Sequence, residues 1–185
     1  MGHIYTVLME NQTIVADATV VCVRTATAVT SRASILEVKR VTVSQQGTST
    51  SQELGVILGL KASAFGTFTS TTPSPHTIGG TASGITGSTS VAAASAGTDA
   101  SAEGGGTVTA THTEGFNNLN GYLWVPTDDE RIIIPLDTAF IVKIRGTPTT
   151  LTGWNASLTN GPTSTNPIGS VHHANSVLIA KTRPW

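Results

Sequence analysis

The chain has 185 residues, the size of one domain, with 38% hydrophobic and only 11% charged side chains. Serine and threonine take about a quarter of the positions beside 19 glycines and 8 prolines, which excludes a coiled coil, a charged helical bundle and a charge-rich disordered tail. Ten basic against eleven acidic residues leave a net charge of −1, so the basic face that a nucleic-acid binder uses to displace counterions from phosphate is missing.

The first residues have neither a basic n-region nor a long apolar h-region, so no secretory leader is expected and about 1–11 read as an N-terminal arm. Apolar stretches such as 54–60 are far short of the roughly 20 residues needed to cross a bilayer. No window sustains a helical period; period two recurs instead. Residues 12–24 place Ile14, Ala16, Ala18, Val20 and Cys22 on one face of a predicted strand. Residues 35–44 read as a strand with charge on both faces (Glu37, Lys39, Arg40), which suggests a sheet edge or a surface met by another chain. Leu54, Val56, Leu58, Leu60 and Ala62 alternate with Glu53, Gly55, Gly59 and Lys61, the mark of a strand with one wet side.

Residues 70–106 differ in kind. They are tracts of Ser, Thr, Ala and Gly with mainly Ile78, Ile85 and Val91 to bury, and they read as a long surface loop. Beyond them, 107–113 put threonines on one face and Val108, Ala110 and His112 on the other. Strands follow at 119–125, 130–135 and 139–145, separated by the turns Pro126-Thr127-Asp128-Asp129 and Leu136-Asp137-Thr138. Strands at 149–158 and 177–181 complete the set, with a Gly/Pro/Asn-rich surface excursion over 155–169. Eight or nine short strands without helix signal predict one all-β sandwich domain over 1–185, most simply a jelly roll. An immunoglobulin-like sandwich is the alternative, without its Cys–Trp–Cys framework.

Catalytic signatures do not emerge. There is no G-x-S-x-G elbow, no P-loop and no dinucleotide fingerprint, so no enzyme is expected, and no cofactor. His172 and His173 are adjacent and would point to opposite faces of extended chain; with His3, His76 and His112 scattered, no metal site is expected. Asp128, Asp129 and Glu130 read as a solvated turn rather than a carboxylate pair across a cleft. The single cysteine, Cys22, reads as a buried small thiol.

What remains is surface. Low charge and abundant threonine describe a protein that meets others over wide, flat areas, and the large aromatics are the candidate interface residues: Tyr122, Trp124, Trp154 and Trp185. Tyr122 and Trp124 share one face of their strand and Leu123 and Val125 the other, so one face packs the core and the other is free for a subunit contact. A carbohydrate- or receptor-binding module is the alternative, with Trp154-Asn155 as its one aromatic–amide candidate.

The run from Glu114 to Thr127 (Glu-Gly-Phe-Asn-Asn-Leu-Asn-Gly-Tyr-Leu-Trp-Val-Pro-Thr), followed by Glu130-Arg131-Ile132-Ile133-Ile134-Pro135, resembles small virion proteins of tailed bacteriophages. Ile35-Leu36-Glu37-Val38, Ser44-Gln45, Thr50-Ser51-Gln52 and residues 100–106 fit the same pattern, which covers about 30–160. The resemblance implies a capsid decoration (cement) protein with a jelly-roll or tumour-necrosis-factor-like fold. It implies a homotrimer at the capsid surface, made in the host cytoplasm and bound to the major capsid protein, with neither nucleic acid nor membrane as partner.

Overall fold

The computed structural model describes residues 4–28, 35–77, 80 and 84–162. Among them the protein is all-β and has no helix. One sheet contains β1 (Tyr5–Gln12), β3 (Leu36–Gln45), β6 (Ser74–Pro75), β10 (Tyr122–Trp124), β11 (Ile133–Ile134) and β13 (Trp154–Pro162). Its order is β10-β3-β13-β1-β6, with β11 also beside β3. The other contains β2 (Thr19–Arg24), β4 (Glu53–Lys61), β5 (Thr67–Ser70), β7 (Thr86–Gly87), β8 (Ser95–Ala102), β9 (Val108–Asn117) and β12 (Ala139–Arg145). Its order is β5-β8-β2-β12-β4-β9, with β7 beside β8. Every pairing is antiparallel except that of β7 with β8. We call these the first and second sheets.

The pairing is nested. β1 pairs with β13, β2 with β12, β3 with β10 and β4 with β9, so the chain folds as one long hairpin laid over itself into two layers. Alternation then sends every second side chain inward. Val7, Met9, Val41, Val43, Trp154 and Leu158 from the first sheet meet Val23, Val56, Leu58, Phe140, Val142 and Ile144 from the second in one buried cluster.

Several expectations change. The N-terminal arm is a sheet strand: Tyr5, Val7 and Met9 of β1 are buried against β13. The strand expected at 12–24 is broken over 13–18, where Asp17 takes a positive φ of 54° and hydrogen-bonds through its N–H to the Gly146 carbonyl, so only β2 remains. β3 is not an edge, since β13 flanks one side and β10 and β11 the other. The excursion placed at 155–169 begins instead as the buried strand β13; the strand expected at 177–181 lies outside the described residues.

The largest difference is within 70–106. This segment is not one irregular surface loop, because it contains β8, buried along most of its length between β2 and β5. Phe65, Phe68 and Val91 cover the outer side of the second sheet, where they meet Cys22, Ala100, Ala139 and Ile141 in a separate apolar cluster. Small residues are what this outer cluster requires. A Cβ at Gly97 would sit 2.6 Å from the Phe68 Cβ and 3.0 Å from the Ser88 carbonyl oxygen. The far end is fastened electrostatically. The Glu103 carboxylate accepts from the Thr19 amide and hydroxyl and pairs with Lys143 at 3.5 Å, while Lys61 Nζ donates to the Glu103 carbonyl at 2.6 Å.

Gly97→Val is therefore expected to destabilise the fold by about 1–3 kcal/mol, the range for overpacking a filled site. Urea unfolding checks this; an unchanged midpoint would mean that β8 is not wedged against Phe68.

Candidate interface

β10 is where the predicted aromatics meet the fold. Gly121, at φ 71°, ends the turn and lets the backbone approach β3, since a Cβ there would lie 3.0 Å from the Val43 carbonyl oxygen. Tyr122, Leu123 and Trp124 then register opposite Val43, Thr42 and Val41. This register turns Tyr122 and Trp124 inward. The Tyr122 ring packs 6.0 Å from Phe116 and the Trp124 ring 6.1 Å from His112. Trp154 is wholly buried, and its indole N–H donates to the Thr150 carbonyl at 3.1 Å. These three candidate interface residues are thus core residues, because period two gives their positions to the inner face. Trp185 lies outside the described residues.

The outward positions of the same strand carry the free apolar surface. Leu123 is 65% exposed and Val125 59%, and Ile133 on β11, beside the other end of β3, is 39% exposed. The partners of Leu123 and Ile133 lie five positions apart on β3, so these side chains mark an apolar margin about 16 Å long. Across the sheet, Leu123, Thr42, Ser157 and Leu8 lie side by side on four neighbouring strands. Leu8, 46% exposed, forms the opposite margin about 14 Å away. Between the margins run hydroxyls already joined to one another: Thr42 to Ser157 at 2.6 Å and Thr6 to Thr159 at 3.1 Å. Glu37, an outward-facing carboxylate, is only 2% exposed and pairs with Lys39 at 2.6 Å and Arg131 at 3.3 Å. The result is a hydroxyl-rich face with apolar borders and little free charge.

The residues that carried the resemblance serve mainly as structural ties. Asn118 is buried; its side-chain oxygen accepts from the Gln52 amide at 2.8 Å, and its amide donates to Gln45 at 2.8 Å and to the Thr50 carbonyl at 2.9 Å. Gln45 donates onward to the Thr150 carbonyl at 2.7 Å, and Gln52 to the Thr147 carbonyl at 2.8 Å. Three loops at one end of the sandwich are thereby locked together, which fixes the start of β10.

Beside Trp124 a cleft of about 200 Å³ opens between the sheets, lined by Thr111, His112, Trp124, Glu130 and Ile132. His112 lies 3.3 Å from Glu114, and the buried Tyr122 hydroxyl has no hydrogen-bond partner; burial, reinforced by Glu114, pushes its pKa up. Among the described residues no group of three or more His, Cys, Asp or Glu side chains could hold a metal ion, and no helix is long and apolar enough to cross a membrane. Comparison with protein-family models, with curated proteins and with solved structures finds no match.

Cys22 lies in the apolar cluster on the outer side of the second sheet, and its burial pushes the thiol from 9.0 up to about 12. Above pH 9 an unfolded chain releases this proton, whereas the folded chain holds it until about pH 12. The folded state then binds more protons, so the Cys22 contribution to stability falls with rising pH across that window, by about 1.4 kcal/mol per unit. The wild type should lose stability more steeply there than Cys22→Ala, and the native thiol should resist iodoacetamide at pH 8. Parallel pH profiles, or rapid labelling of folded protein, would contradict this burial.

Proposed function

We propose that this chain is a non-enzymatic structural protein of a tailed-phage virion that decorates and stabilises the capsid, associating with itself and with the major capsid protein. The observation that carries the reading is the outer face of the first sheet: rich in hydroxyls, poor in free charge, and bordered by Leu123, Val125 and Ile133 on one side and Leu8 on the other. Each such side chain stabilises a contact by about 1.5–3 kcal/mol when fully buried. Two different margins on one face suit a head-to-tail contact, which closes into a ring when the rotation permits, and a threefold ring matches a local threefold of a shell. Repetition around that ring multiplies weak contacts into firm attachment. The nested strand pairing supports reading the sandwich as a jelly roll.

A second reading, a carbohydrate- or receptor-binding module of a fibre or tail, is favoured by the Trp124–His112–Glu130 cleft. Trp154-Asn155 does not support it, because Trp154 is buried.

Light scattering on the purified protein, then mixing with undecorated capsids of the parent phage at low and high salt, tests the first reading. The expected result is a mass that is a multiple of three chains, with capsid binding that changes little with salt, as a weakly charged contact should. Leu123→Asp is expected to abolish the threefold assembly and weaken capsid binding at least tenfold while shifting stability by no more than about 0.5 kcal/mol. A wild-type monomer that ignores the shell would overturn this reading and favour the cleft.

A further inference from the structure

β9 is ten residues long, bonds to β4 on one side, and has no strand on its other side among the described residues. Thr109, Ala110, Thr111, Thr113, Glu114 and Gly115 are all exposed. A free edge of this length offers a row of unpaired N–H and C=O groups to any other strand. Natural edges are usually blunted by lysine, proline or brevity, and β9 has none of these. Its one irregularity is a bulge near Thr111, whose hydroxyl donates to the Leu58 carbonyl at 2.9 Å. From His112 to Asn117 the register against β4 is unbroken.

We infer that this edge pairs with β9 of a second copy, antiparallel about a twofold axis through Thr113, which continues the second sheet across two molecules. Symmetry narrows the registers. A twofold axis perpendicular to a sheet preserves its faces, and directly opposed side chains share a face, so the axis must pass through a residue that opposes itself. An axis through Glu114 would set like carboxylates against each other, and one through His112 would oppose two histidines. The axis through Thr113 places His112 opposite Glu114 of the other copy, twice, and Thr111 opposite Gly115. His112 and Glu114 already lie within hydrogen-bond distance, 3.3 Å, on one face of β9, so the two pairs merge into one four-membered hydrogen-bonding cluster. This contact uses the edge of the second sheet and does not depend on the face of the first. It goes beyond the capsid reading, linking rings or free chains in pairs alike.

The test places opposite charges at the axis. Thr113→Lys and Thr113→Glu each oppose like charges across it, so each variant alone should show half the wild-type assembly mass in light scattering, with its melting temperature unchanged. An equimolar mixture of the two should recover the wild-type mass. In a separate experiment, Thr113→Cys should give a disulfide-linked pair on mild oxidation, whereas Thr109→Cys should not. Adding Leu123→Asp to Thr113→Cys should leave that cross-link intact, which separates this contact from the one on the first sheet. Variants that keep the wild-type mass, a mixture that stays dissociated, or equal cross-linking at both cysteines would overturn the pairing.

Discussion

The ladder between β3 and β13 is the constraint on which the other features rest. It runs from Trp154 opposite Gln45 to Pro162 opposite Leu36, and it joins side chains as far apart in sequence as Thr42 and Ser157, 115 positions. Loop-closure entropy grows only with the logarithm of that separation, so the distance costs little in stability, though it slows folding. With β13 between β3 and β1, the register of one strand sets two others. Ala156 and Leu158 then meet Val43 and Val41 inside, while Ser157 meets Thr42 and Leu8 outside. A slip of one residue would exchange those faces, burying hydroxyls and exposing the aliphatic side chains.

Where the sequence alternated between apolar and polar, the fold could be read from it. β4 and β12 pair from Gly55–Arg145 to Lys61–Ala139, and their inward Val56, Leu58, Phe140, Val142 and Ile144 announce themselves by spacing alone. β8 did not, and β13 did so only over 154–158, for opposite reasons. β8 is Ser-Ala-Gly-Thr-Asp-Ala-Ser-Ala, without a β-branched or aromatic apolar residue, and its small size is a packing requirement imposed by Phe68. β13 begins Trp-Asn and ends Asn-Gly-Pro, which is turn chemistry by local preference. Partners on both sides override that preference. Charge misled in the same way at β3: Glu37 was a sign of an edge, yet Lys39 and Arg131 neutralise it in an interior strand.

The candidate interface was half legible. Period two assigned Tyr122 with Trp124 to one face and Leu123 with Val125 to the other, but residue size favoured the aromatics as the contact. Burial decides otherwise, because a ring buries more apolar area than leucine and a core short of large residues takes it first. The asparagines and glutamines of the familiar motif were visible as a pattern but not as a mechanism. Their role depends on Asn118 meeting Gln45 and Gln52, at the two ends of the β3–β4 connection, and on those glutamines reaching the β12–β13 loop, and no spacing within one loop encodes that.

Charge distribution links the core to the surface. With only 21 charged residues in the chain, several are spent on internal ties: Glu37 with Lys39 and Arg131, Glu103 with Lys143, and Arg24 with Asp137 at 2.5 Å. Lys61 is also drawn in; burial lowers its pKa, and its ammonium group caps the Glu103 carbonyl. Each tie removes a charge that would otherwise repel a neighbouring copy or hold water against an approaching surface. Arg40 and Glu10 are then the exposed charges on the outer positions of β3 and β1, amid threonine and serine. A hydroxyl already bonded to its neighbour loses less on desolvation than a free ion does, so covering such a face carries a small penalty.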